Sequence, residues 1–278
     1  MNLKNINNKI YSDEKENQEL ISLFNSGDLE SAKKKALQLL SDYPKAYVIY
    51  NIYGAILATE NKLNQSIIHY KKSIEIKFDY AEAHNNLGTA LQKSNNFEEA
   101  IVSYNNALKY KPNFADAYNN LGAALRKLGK FEEAITGYYQ ALKINPNYAE
   151  AYSNLGNTLV ELGKFEEAIT NHQKALKINP NYTEANFNES IIRLTLGEFT
   201  IGWKKYEFRF DASAIPSKRY KADKIWNGDY LDGTLLVWAE QGIGDHILFT
   251  SMITDLRKYA KNITLEIDKK ITIFAEKI

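Results

Sequence analysis

The chain has 278 residues, 44% of them hydrophobic and 25% charged, which is ordinary for a soluble globular protein of one or two domains. A formal net charge of +1 removes any general electrostatic attraction to nucleic acid or anionic membranes. Cysteine is absent, so disulfides and thiolate metal sites are excluded while the redox compartment stays open.

Residues 1–12 are polar, rich in Asn and Lys, and read as a frayed leader. The opening "MNLKNINNKIYSDEKENQEL" lacks the apolar core of a signal peptide, and no run reaches membrane-spanning length, so a cytoplasmic protein is expected. From Asp13 to about residue 210 the chain is periodic. Gly88, Gly122 and Gly156 are 34 residues apart, as are Phe97, Phe131 and Phe165, and Pro112, Pro146 and Pro180. A fixed period of this length marks a repeat architecture, in which each unit buries its apolar face only against its neighbours. Extending the register gives unit starts at Asp13 and Tyr47 and a divergent sixth unit from Thr183, where Ser190 replaces the glycine and Glu189 replaces Leu87, Leu121 and Leu155.

Each signature position has a packing reason. Gly88, Gly122 and Gly156 sit inside a first helix, where glycine costs about 1 kcal/mol against alanine and is tolerable only if a second helix approaches closely. Ala100, Ala134 and Ala168 are the small residues expected opposite them. Gly129 and Gly163 fall where a left-handed C-terminal cap ends the first helix, and the prolines end the second. The block "AEAYSNLGNTLVELGKFEEAITNHQKALKINPNY" resembles the tetratricopeptide (TPR) repeat, which implies two antiparallel helices per unit and a right-handed superhelix.

Asn86, Asn120, Asn154 and Asn188 all fall at the sixth position of their units. An asparagine amide offers two donors and an acceptor, so it can pair with both the N–H and the C=O of a peptide unit, and a row of amides could grip an extended chain by its backbone. Bonding between adjacent repeats is the structural alternative, and both stay open at this point. Glu82, Asp116, Glu150 and Glu184, one turn earlier, lie on the same face; they could favour basic partners, although acids at a helix start also simply suit its dipole. The spelling "NNLG…LGKFEEAI…ALKINPNY" over residues 81–188 resembles the TPR region of O-linked N-acetylglucosamine transferases. In that family the matching asparagines line the groove that holds the protein substrate.

After Arg209 the period is lost. Residues 211–233 read as a connector, and residues 234–278 as a strand "TLLVWAE", a turn "QGIGD", a helix "HILFTSMITDLRKYA" and a strand "ITLEID". This is a β-α-β pattern with too little material to cover its own sheet, and it is expected to begin a larger α/β domain. Gly242 and Gly244 follow the first strand, but Ile247 stands where a dinucleotide fingerprint needs a third glycine. "WAEQGIGDHILF" resembles the first loop of heptosyltransferase-like GT-B glycosyltransferases. That resemblance makes Asp245 a candidate general base, and Gln241, Gly242 and Gly244 a candidate phosphate or acceptor loop. An N-cap role for Asp245 is the structural alternative, and the residues favour it. The four histidines have no metal-ligand spacing; His84 and His172 are expected to pack as aromatics, and Trp203, Trp226 and Trp238 to anchor the junction after the repeats.

The expected fold is an all-α TPR superhelix (an α-solenoid) over residues 13–210, followed by an incomplete α/β segment. The expected function is a non-catalytic protein–protein interaction module that binds a peptide or partner protein without cofactor, metal, nucleic acid or membrane. The alternative is the N-terminal part of a TPR-coupled glycosyltransferase, which would use a nucleotide-sugar donor.

Overall fold

The computed structural model describes residues 14–210, 230–238, 257–258 and 260–266. They fall in two compact units that divide between Phe208 and Arg209. The first unit carries twelve α-helices paired as six hairpins: α1 (Glu14–Asn25) with α2 (Leu29–Asp42), α3 (Tyr47–Thr59) with α4 (Leu63–Ile76), α5 (Ala81–Lys93) with α6 (Phe97–Tyr110), α7 (Ala115–Lys127) with α8 (Phe131–Ile144), α9 (Ala149–Glu161) with α10 (Phe165–Ile178), and α11 (Thr183–Thr195) with α12 (Phe199–Tyr206). A 3-10 turn, Glu207–Phe210, follows α12. Paired glutamates open α6, α8 and α10, and a lysine lies in the last turn of each, so side-chain charge complements both ends of the helix dipole. No described helix is long and apolar enough to cross a membrane.

Every hairpin turns on one left-handed residue. Gly27, Asn61, Asn95, Gly129, Gly163 and Gly197 all have positive φ, between 59° and 81°, and recur at the repeat period. In the fourth hairpin Lys130 N–H donates to Leu125 C=O at 3.0 Å and Gly129 N–H to Arg126 C=O at 3.0 Å, the two bonds of a Schellman motif. Asparagine replaces glycine at two of the six positions because its short polar side chain tolerates this conformation.

The core of the second to fifth hairpins is an aromatic ring laid on a glycine. A Cβ on Gly54 would stand 2.7 Å from Tyr70 Cε1, one on Gly88 2.6 Å from Tyr104 Cε1, and one on Gly122 2.7 Å from Tyr138 Cε1. In the fifth hairpin His172 takes the ring position, with Nε2 2.8 Å from where a Cβ on Gly156 would lie. The glycines thus admit a ring between the helices. The first hairpin solves the same packing problem with sizes exchanged: Leu20 stands at the glycine position and Ala36 at the ring position, and both are fully buried. Ala32, Ala100, Ala134 and Ala168, with Ser66 in the second hairpin, are also fully buried small residues of the second helices.

The last hairpin ends the apolar stripe with charge. Glu189 replaces the usual leucine and is fully buried, with Arg193 Nε at 2.6 Å and Lys205 Nζ at 2.9 Å. Burial alone would raise its pKa, but the bonds from Lys205 and Arg193 outweigh it and hold the carboxyl below its ordinary value. Trp203, expected as a junction anchor, is 54% exposed and meets Tyr206 edge-on at 5.4 Å. Trp226 lies outside the described residues.

In the second unit β1 (Leu231–Trp238) pairs in parallel with β2 (Ala260–Glu266), from Leu231 opposite Ala260 to Trp238 opposite Glu266. The first strand starts three residues before the expected Thr234, so the connector expected to reach residue 233 is shorter. The helix expected to run to Ala260 does not reach it, because Arg257 and Lys258 form a turn and Ala260 is already paired with Leu231. The remainder of that expectation lies outside the described residues.

Two outcomes follow from the ring-on-glycine packing. Gly122→Leu places side-chain atoms inside the Tyr138 ring and should cost about 1–3 kcal/mol or more. Adding Tyr138→Ala, which copies the Leu20/Ala36 arrangement, should recover part of that loss, whereas strictly additive losses in thermal melts would refute the coupling. His172 is fully buried, neither ring nitrogen has a hydrogen-bond partner, and burial pushes its pKa from 6.5 down to about 4. The unfolded chain therefore binds the extra proton first as pH falls. Stability that is complete above about pH 6.5 is lost progressively toward pH 4. His172→Tyr, the ring the neighbouring repeats carry, should flatten the melting temperature over that window, and an unchanged pH profile would refute the assignment.

Candidate functional site

First helices of neighbouring hairpins approach one another, α3 with α5, α5 with α7, α7 with α9 and α9 with α11, and no two second helices do so to the same extent. The first helices therefore form the inner, more crowded face of the stack. Along each of them the second, fifth, sixth and ninth positions share that face, because residues three and four apart lie one above another.

All four predicted asparagines are half-buried on this face, and each is tied to the preceding repeat. Asn86 Nδ2 donates to Asn51 Oδ1 at 3.0 Å, Asn120 Nδ2 to Asn85 Oδ1 at 3.1 Å, and Asn154 Nδ2 to Asn119 Oδ1 at 3.0 Å. The acceptor is always the fifth position of the preceding unit. In the fifth repeat that position is Ser153, too short to reach, and Asn188 Nδ2 instead donates to Asn157 Oδ1 at 2.9 Å. The acceptors Asn51, Asn85 and Asn119 are at most 8% exposed. Asn119 in turn donates to Glu150 Oε1 at 3.1 Å and reaches the Tyr148 hydroxyl at 3.5 Å.

These acceptors were legible and passed over: Asn51, Asn85 and Asn119 recur at the same period beside or in phase with the asparagines singled out. One N–H per ladder amide is spent on the inter-repeat bond. Among the described residues no bond uses the second N–H or the Oδ1 of Asn86, Asn120, Asn154 or Asn188. A peptide unit needs that donor–acceptor pair.

The acids fall along one edge of the face. Glu82 accepts from Lys111 Nζ at 2.8 Å; burial would raise its pKa, but the Lys111 bond, a backbone hydrogen bond and the Lys111 and Lys77 charges together leave the carboxyl below its ordinary value. Glu150 is held by Asn119, Glu184 accepts from Thr183 Oγ1 at 3.1 Å, and Asp116 is exposed. Burial, then the charges of Glu150 and Asp116, push the Tyr148 hydroxyl well above its ordinary pKa, so it remains a neutral donor at any physiological pH. The other candidates, Gln241, Gly242, Gly244 and Asp245, lie outside the described residues.

Residues 113–181 match the tetratricopeptide repeat family, and residues 54–95 and 92–129 match the TPR repeat. Protein FlbA of Caulobacter vibrioides is 36% identical over 67 residues, 23% of this chain but 11% of FlbA, so the match spans a small share of that relative. The structure of MamA superposes with a TM-score of 0.51 at 25% identity, covering 57% of this chain and 93% of MamA. PilW, a type IV pilus biogenesis factor, gives 0.66 at 19% identity, covering 73% and 96%. YrrB, described as a TPR protein with an unusual peptide-binding site, gives 0.50 at 20% identity, covering 64% and 92%. At these identities PilW and YrrB speak for the fold alone.

Proposed function

We propose that this stack of tetratricopeptide repeats is a protein-interaction module that holds an extended polypeptide along its inner face, gripping the backbone through Asn86, Asn120, Asn154 and Asn188. The observation that carries this reading is the half-used amide: one N–H fixes each side chain to the repeat before it, and an N–H and an Oδ1 are left over in a fixed orientation. Pre-orientation matters because a side chain already immobilised loses little further entropy on binding. Glu82, Asp116 and Glu150 along the edge add preference for basic side chains without selecting a sequence. MamA and YrrB share the architecture, and a peptide-binding site is described for YrrB.

For the C-terminal unit, the reading as the opening of a glycosyltransferase domain, with Asp245 at its first loop, is supported by the spelling "WAEQGIGDHILF" and by the parallel pairing of β1 with β2. A nucleotide sugar is a partner only in that reading.

Two triple variants separate gripping from mere inter-repeat bonding. Asn51→Ala with Asn85→Ala and Asn119→Ala breaks the three inter-repeat bonds from the acceptor side and keeps the ladder. Asn86→Ala with Asn120→Ala and Asn154→Ala breaks the same bonds and removes the ladder. Both should lower the melting temperature. Against a panel of unrelated extended peptides, the ladder variant should lose roughly ten- to a thousandfold in affinity, at about 0.5–1.5 kcal/mol per amide. The acceptor variant should lose much less. Equal affinity losses in calorimetry would refute the grip.

A further inference from the structure

The repeat period allows one furrow of the stack to be compared with another. Phe78, His84 and Tyr110 stand two repeats before Pro146, Tyr152 and Ile178. In the earlier furrow, between α4 and α6, three rings pack together: His84 and Tyr110 stack at 5.5 Å and 30°, and Phe78 meets Tyr110 edge-on at 6.0 Å. The Lys109 ammonium lies 5.5 Å from the Tyr110 ring centre. In the later furrow, between α8 and α10, only Tyr152 keeps its ring. Proline and isoleucine leave a cavity of about 600 Å³ lined by Pro146, Asn147, Tyr152, Lys174, Lys177 and Ile178. A second cavity of about 330 Å³ shares Tyr152 and Lys174 and is lined further by Tyr139, Leu142 and the acidic Glu167.

The electrostatics of the two furrows differ as well. Asp79 of the earlier furrow corresponds to Asn147 in the later one, and no acidic residue lines the larger cavity. Lys174 Nζ stands 5.6 Å from the Tyr152 ring centre, and Lys177 follows one turn later. Neither lysine has an ion pair among the described residues. The place thus combines a ring floor, apolar walls that include the 53% exposed Tyr139, and two uncompensated ammonium groups.

We propose that the furrow between α8 and α10 is a second docking site, which takes an aromatic side chain of a partner peptide flanked by carboxylates. The incoming ring replaces those that Phe78 and Tyr110 supply internally two repeats earlier, stacking on Tyr152 and burying a large apolar area. The flanking carboxylates pair with Lys174 and Lys177. Neither cavity is lined by Asn86, Asn120, Asn154 or Asn188, so the site is separate from the asparagine ladder.

The test uses the full chain and a fluorescein-labelled peptide of one tryptophan between two pairs of aspartates, followed by fluorescence anisotropy. Saturable binding is expected. Ile178→Tyr restores the ring found at position 110 of the same fold, and it should weaken binding more than about tenfold while preserving the melt, as expected for a blocked aromatic anchor. Lys174→Ala with Lys177→Ala should also weaken binding and abolish most of its salt dependence. The proposal is overturned by no saturable binding at millimolar protein, by unchanged affinity in Ile178→Tyr, or by equal binding of the asparagine analogue of the peptide. Loss of binding in the Asn86/Asn120/Asn154 variant but not in Ile178→Tyr would place the peptide on the inner face and overturn it too. So would a dimer of the chain that Ile178→Tyr disperses, since the occupant would then be a second copy.

Discussion

In the second to fifth hairpins a flat ring lies against a glycine backbone, and that contact limits how the two helices pack. It explains why the glycines are tolerated inside helices despite their entropic cost, and why small residues fill the buried positions of the second helices. Because the second to fifth hairpins share that contact, each presents a similar surface to the next. The chain can therefore add units without re-solving the interface. The first hairpin shows that the constraint is one of volume: Leu20 with Ala36 fills the space that glycine with tyrosine fills elsewhere.

The amide pairs on the inner face add a recurring polar link to the apolar stacking of the hairpins. Each pair joins consecutive repeats by a neutral hydrogen bond of about 0.5–1.5 kcal/mol, directional where hydrophobic contact is not. The bond ties each ladder side chain to the repeat before it and leaves one N–H and the Oδ1 unused. In the proposed grip the same amides serve both the stack and recognition. At Ser153 the regular acceptor is lost, and Asn188 turns to Asn157, which shows that the bond is worth preserving when its usual partner is missing.

The C-terminal end of the stack is handled electrostatically. Glu189 occupies an apolar position with no exposure, a placement that is tolerable only because Arg193 and Lys205 both reach it. A leucine there would continue the apolar stripe of the preceding repeats, whereas the ion cluster ends it. The buried neutral His172, in the repeat before, lies under the influence of the same charges, with burial as the dominant effect on its proton.

Much of this was legible in the residues alone. The period, the helix pairs and the caps at Gly129 and Gly163 follow from local chemistry repeated at fixed spacing, and local chemistry is what a sequence displays directly. The left-handed Asn61 and Asn95 were not read, because asparagine serves many roles and glycine few. The asparagine ladder was legible as a row, but not its use: whether an amide bonds to a neighbouring repeat or faces an open groove depends on how far one unit is rotated against the next. That rotation is a tertiary quantity, set by the ring-on-glycine contact and the crowding of first helices. The same holds for the furrow at Tyr152, since Pro146 and Tyr152 are distant in the chain from Lys174 and Ile178 and line one cavity with them only when α9 packs against α10. The sequence determined which units repeat and which side chains they carry; the stacking of those units decided which polar groups were consumed between repeats and which were left over.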